Sequence, residues 1–229
     1  MSHKAFRAPL GFVADEGVGV VSTLGGALND YVDGLRLVNP DDLSRDEALG
    51  FWINLYNAGA LILVARAQST NTPSVLGIPG GFRSKFVSIG GERLSLDDIE
   101  HGKVRRFGDP RIHAALVCGS ISCPTLRREP YEGPAIHEQL DDQLRYLLAA
   151  GGCTVDRSGK RVLLSRIFRW YGSDFARPHR MPTLLPASRR PVLSALSPWL
   201  DPEDVAWIDS TRPEIEFQPY DWALGCAVR

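Results

Sequence analysis

At 229 residues the chain is long enough to bury a sizeable core without disulfides or a structural metal, and one large domain is the expectation. Its 44% hydrophobic and 23% charged residues are those of a folded globular protein and exclude a disordered or fibrous chain. A net charge of −1 supplies no overall attraction to nucleic acid or to an anionic membrane, and neither partner is expected.

No long apolar stretch follows the N-terminal Met-Ser-His-Lys, so no secretory leader is visible. The most apolar segment, 55–65, is interrupted by Asn57 and is too short to span a bilayer, so a soluble cytoplasmic protein is expected. The four cysteines are spread from 118 to 226 and form no disulfide framework. Cys153 and Cys226, with no histidine or acidic neighbour in sequence, read as packing residues.

Residues 1–40 read as an N-terminal extension, a Gly/Val-rich opening followed by a helix over 24–37. Pro40-Asp41 marks a boundary, and 41–229 reads as a single globular domain. Ser44-Arg-Asp-Glu47 is a capping box opening a helix to about residue 67. Phe51, Trp52, Leu55, Tyr56, Leu61 and Ile62 cover most of its circumference, which predicts burial on more than one side. Asn54 and Asn57 share a face of it and either bond nearby backbone or line a site.

Segments 85–89 and 92–94 flank Gly90-Gly91 as a hairpin. Ser95, with Asp98 three residues on, caps a helix over 96–106. Glu100 falls on its apolar stripe, uncommon for a carboxylate unless it is paired, while His101 with Asp97 and Arg105 reads as a solvated flank. Residues 111–118 read as a buried strand carrying His113, ending in a turn with Cys118, Ser120, Ser122 and Cys123 before Pro124.

An amphipathic helix over 135–150 stops at Gly151-Gly152, and a second hairpin pairs 154–156 with 161–164. Ser165 caps a short aromatic helix with Phe168, Trp170 and Tyr171. A proline-rich loop at 178–186 leads to helices near 191–200 and 202–208, a strand at 214–217 and the segment Tyr220-Asp-Trp222. Without a βαβ rhythm the fold class is α+β: a central buried helix on a small mixed or antiparallel sheet, with peripheral helices.

Blocks of this sequence resemble the family called domain of unknown function 547. They are Phe51-Trp-Ile-Asn-Leu-Tyr-Asn-Ala58, Leu96-Asp-Asp-Ile-Glu-His101, Asp109-Pro-Arg-Ile-His-Ala-Ala-Leu-Val-Cys-Gly-Ser-Ile-Ser-Cys-Pro124, Leu164-Ser-Arg-Ile-Phe-Arg-Trp-Tyr171 and Tyr220-Asp-Trp222. Together they span roughly 44–225, with one departure, Gly225 in place of an asparagine. The resemblance implies no assigned activity and is compatible with an enzyme or an interaction domain.

The first functional expectation is a cysteine-dependent hydrolase or acyltransferase acting on a small molecule or peptide. Such chemistry needs a thiolate, an imidazole and a group that fixes the imidazole tautomer. Here Cys118 or Cys123 is the nucleophile, His113 the base, and Glu100, Asn54 or Asn57 the orienter, with the 119–122 amides as an oxyanion hole. Regular strand parity points His113 and Cys118 to opposite faces, which favours Cys123.

The competing expectation is a non-catalytic binding module in which the His/Cys turn is structural. In it Arg111, Arg127, Arg128 and the turn, with Ser120 and Ser122, receive an anionic group. Cys118, Cys123, His113 and His101 match no common zinc spacing, and the cysteines lack the Cys-x-x-Cys redox spacing, so no metal and no cofactor are expected. No Walker loop, dinucleotide fingerprint or Gly-x-Ser-x-Gly elbow is present.

Overall fold

Ser44 opens the helix around which the fold is built. Its hydroxyl accepts from the Glu47 N–H while the Glu47 carboxylate accepts from the Ser44 N–H, closing the expected capping box. In the computed structural model, which describes residues 2–178, 182–183 and 185–229, this helix is preceded by α1 (Lys4–Glu16) and α2 (Gly25–Leu35). It is therefore α3 (Arg45–Ser69), buried without interruption from Ala48 to Val64. By length and composition α3 could cross a membrane, but 94% of its most apolar window is buried inside the protein.

The expected N-terminal extension is not separate from this core. Phe6, Leu10, Val13, Leu28, Tyr31 and Val32 join the same buried cluster as Phe51, Ile53, Leu55 and Leu61. The Gly/Val-rich opening is helical from Lys4, so the compact body starts at α1 rather than at Pro40.

After α3 come the hairpin β1 (Val87–Ile89) and β2 (Glu92–Leu94), antiparallel across Gly90-Gly91, whose φ values of 57° and 80° only glycine adopts readily. Helix α4 (Leu96–Gly102) carries the Ser95–Asp98 capping box, and α5 (Ile112–Ala115) is a single turn. Helix α6 (Ile136–Leu147) precedes β3 (Cys153–Asp156) and β4 (Arg161–Leu164). Then follow α7 (Ile167–Trp170), α8 (Gly172–Ala176), α9 (Arg189–Leu196), α10 (Pro202–Thr211) and β5 (Glu214–Phe217). Of the expected loop at 178–186, residues 179–181 and 184 lie outside the described residues.

The α+β class holds, with a different division of labour from the expected one. The three-stranded sheet is mixed, β3 antiparallel and β5 parallel to β4. It belongs to a second buried cluster with the end of α6 and helices α7 to α10, whereas α3 packs mainly against helices. The two clusters meet at α5, where Ile112 and Ala115 join the first and Ala114 the second.

Residues 111–118 are not a strand. Backbone bonds from His113 N–H to the Pro110 carbonyl and from Leu116 N–H to the Ile112 carbonyl wind the first half into a helical turn. The apolar run Ile-His-Ala-Ala-Leu-Val is shared by a buried strand and a buried helical turn, and periodicity does not separate them. With a helical turn in place of the strand, alternation does not set His113 and Cys118 on opposite faces.

Candidate functional site: a thiol and an imidazole on one cavity

Asn57 delivers the reactive turn. Its amide donates to the Ala115 carbonyl and accepts from the Val117 N–H, both at 3.0 Å, so α3 holds the chain extended as it leaves α5. Two residues on, Gly119 has φ +80°, and an added Cβ would lie 2.2 Å from Val64 Cγ2. Only glycine fits there, and the chain turns so that Cys118 faces a cavity of about 260 Å³ at the seam between the two cores.

The Cys118 sulfur lies 3.0 Å from Ser120 Oγ and 3.2 Å from Tyr220 Oη, and Ser120 also donates to Tyr220. The hydrogen bond from the Cys123 thiol, then those of Ser120 and Tyr220, outweigh burial and lower the Cys118 pKa to about 6. Cys123 is pushed well above the ordinary thiol value, by burial first and by its link to Cys118 second. The pair thus ionises at Cys118.

His113 faces the same cavity. Its Nε2 is 2.9 Å from Asp174 Oδ2, an arrangement that places the imidazole proton on Nε2 and leaves Nδ1 free to accept. Burial lowers the His113 pKa, against the opposing pull of Asp174 and Glu100, and so favours the neutral ring. Tyr171 stacks on it with centroids 3.9 Å apart.

Asp174 is held in turn by Arg105, which donates from Nε and Nη2 at 2.8 Å to its two oxygens. The Arg105 guanidinium is buried, donates further to the Thr183 carbonyl, and sits 3.3 Å from His101 Nδ1. The Asp174 carboxyl is shielded by burial, yet the His113 and Arg105 bonds keep it far below the usual carboxylate range.

Of the expected site residues, Cys118, Cys123, His113 and Glu100 line this cavity. Ser120 touches the Cys118 sulfur from beneath and is itself fully buried. The others do not reach it. Asn54 spends its amide on the Tyr131 N–H and carbonyl, and Asn57 on Ala115 and Val117, because buried amides are satisfied by the nearest backbone. Ser122 accepts from the Asp221 N–H. Arg111 is bound by Asp109, Asp141 and His137, while Arg127 pairs with Asp142 and Arg128 with Asp15. No hydrogen bond joins Cys118 to His113 among the described residues.

The imidazole's partner is Asp174, not Glu100 or an asparagine, and the flank read as solvated is only partly so, with Asp97 and His101 half-buried. Arg105 is 4% exposed and His101 lines the cavity. Tyr171, Tyr220 and Trp222 also belong to the lining. The aromatic block at 168–171 and Tyr220-Asp-Trp222 drew notice in the sequence, but nothing local ties residue 220 to residue 118. Among the described residues no group of three or more His, Cys, Asp or Glu could hold a metal ion.

Tyr220 and Trp222 reach the cavity because residues 221–229 run along the reactive turn. The Ile121 and Leu126 N–H groups donate to the Ala223 and Ala227 carbonyls, and Gly225 donates to Gly119. At Gly225, where an asparagine was expected, an added Cβ would meet Ile121 Cγ1 at 2.7 Å. The smaller residue suits this close crossing.

The fold and site define a single-domain α+β protein with a thiol and a carboxylate-held imidazole on one cavity. Residues 40–147, just under half the chain, match the model of the family described as "Protein of unknown function, DUF547", which supports the resemblance seen in the sequence. The match holds α3, Glu100, His113, Cys118 and Cys123, whereas Asp174, Tyr220 and Trp222 lie beyond it. No curated protein and no solved structure gives a significant match.

Proposed function

We propose that the cavity is the active site of a thiol-dependent acyl-transfer enzyme, a hydrolase or acyltransferase, acting on a small molecule or a peptide end. The observation that carries this reading is that the Cys118 sulfur and an Asp174-anchored His113 line one cavity, and the hydrogen bonds that lower the Cys118 pKa support it. The Cys118 thiolate forms a bond to the acyl carbon as the bond from that carbon to the amine or alcohol breaks, and the departing group takes up a proton from solvent. A water or other acceptor then gives its proton to His113 and breaks the S–C bond, returning free Cys118.

Four free cysteines fit a reducing compartment, and we place the reaction in the cytoplasm. Labelling with iodoacetamide across pH tests the reading. Cys118 is expected to react with a midpoint near pH 6. Cys153 and Cys226, pushed by burial to about 12, are expected to stay unlabelled at pH 7. A Cys118 that labels only above pH 8 sinks the nucleophile assignment.

A second reading is a binding cavity without chemistry. The observation in its favour is that the Cys118 sulfur is already engaged by two hydroxyls and makes no hydrogen bond to His113. Thioester formation on Cys118 with p-nitrophenyl acetate, seen by intact mass, separates the two. A Cys118→Ser variant that retains all the esterase activity supports the binding reading.

A further inference from the structure

The lining of the cavity is one-sided in charge. Asp97 and Glu100 line it, and among the described residues no lysine or arginine does. Arg105 lies behind the wall, with its donors committed to Asp174 and the Thr183 carbonyl. Arg83 pairs with Asp97 from the outside, its own side chain 89% exposed. Arg169 lines an adjoining groove with Trp170 and Tyr171. Glu100 is the informative residue. It is 8% exposed, lies against the Tyr171 phenol, and has no cation within ion-pair distance among the described residues. Arg105 acts on it only from a distance, without closing an ion pair, so a carboxylate this buried and open to a cavity favours a ligand that brings a cation into contact.

The rest of the wall suits the same partner. Tyr56, Phe82, Trp170, Tyr171, Tyr220 and Trp222 supply aromatic surface. At the rim Trp170, Tyr220 and Trp222 pack as one group, with centroids 4.6 to 5.7 Å apart and planes tilted by 32° to 54°. Ring faces attract cations through their quadrupoles, most strongly for tryptophan. Carboxylates alone or aromatic rings alone would be common surface features. Both on one cavity wall beside the Cys118 sulfur make a site that repels anions and rewards a positive head group.

We infer that this cavity selects an organic cation, a protonated or quaternary amine carried by the acyl compound that Cys118 attacks. The inference rests on the acyl-transfer reading for where the reacting carbonyl lies, but not for the binding itself. The cation sits between Glu100 and the Trp170–Trp222 rim, and the acyl group reaches inward to the sulfur.

The test is binding of choline and of its uncharged isostere 3,3-dimethyl-1-butanol to the whole protein, followed by calorimetry and tryptophan fluorescence. Choline is expected to bind at least about tenfold more tightly. Glu100→Gln is expected to abolish that preference while leaving the alcohol's affinity unchanged. Trp222→Leu, a partly exposed rim position, gives a second reading should Glu100→Gln fail to fold, and is expected to weaken choline alone. Cys118→Ser is expected to keep the preference for choline over the alcohol, which separates the cation site from the acyl-transfer reading. Equal affinity for the two probes, no saturable binding of either, or a choline preference that survives both Glu100→Gln and Trp222→Leu overturns the inference.

Discussion

The Cys118 sulfur draws its acidity from neighbours supplied by distant parts of the chain, so those neighbours can be removed one at a time. Tyr220→Phe deletes one hydroxyl that favours the thiolate. The midpoint for alkylating Cys118 is then expected to rise by about one pH unit, with the fold unchanged by circular dichroism. Asn57 is a different kind of residue, a clamp rather than a ligand. Asn57→Ala orphans the buried Val117 N–H and Ala115 carbonyl, at a cost of about 2–4 kcal/mol in urea unfolding. An unaltered denaturation midpoint for that variant would show that the two backbone groups find other partners.

At the scale of elements, α8 reaches across to α5 and to the turn after α4 through one carboxylate. Asp174→Asn leaves the 4%-exposed Arg105 without its anion and His113 without its anchor. A loss of about 3–5 kcal/mol is expected on chemical denaturation, because an uncompensated buried charge costs more than a missing contact. Gly119→Ala, with its Cβ driven into Val64, is expected to lower the melting temperature and to displace the thiol. The elements themselves were largely legible. Ser44 and Ser95 announce their helices by hydroxyl and carboxylate at fixed spacing, and Gly90-Gly91 announces its hairpin, because those rules are local. At α5 the sequence suggests a strand because five buried apolar residues around a histidine carry no period long enough to decide. Asp174 was missed for a related reason. It sits 61 residues from His113, in a Gly-Ser-Asp stretch that carries no motif, and only tertiary packing aims it at an imidazole.

For the whole molecule, two histidines bury their rings in the neutral form. Burial lowers His3 to about 4, and His113 is lowered by the same cause. Folded values below the unfolded value of about 6.5 mean that the unfolded chain takes up protons first. Stability from these groups is therefore full above pH 6.5 and is lost as the pH falls toward the folded values. Urea midpoints are expected to decline from pH 7 to pH 4, and more shallowly in His3→Gln. A flat profile over that range would count against buried neutral histidines.

The path of residues 221–229 along the reactive turn has a further consequence, set by the order of translation. Cys118 leaves the ribosome about a hundred residues before Tyr220 and Trp222, so the nascent chain carries the thiol before it carries the wall that encloses it. Until that last segment is made and docked, the cysteine lacks the Tyr220 hydroxyl and its aromatic cover. Synthesis itself thereby delays assembly of the site until residues 220–229 have emerged and docked.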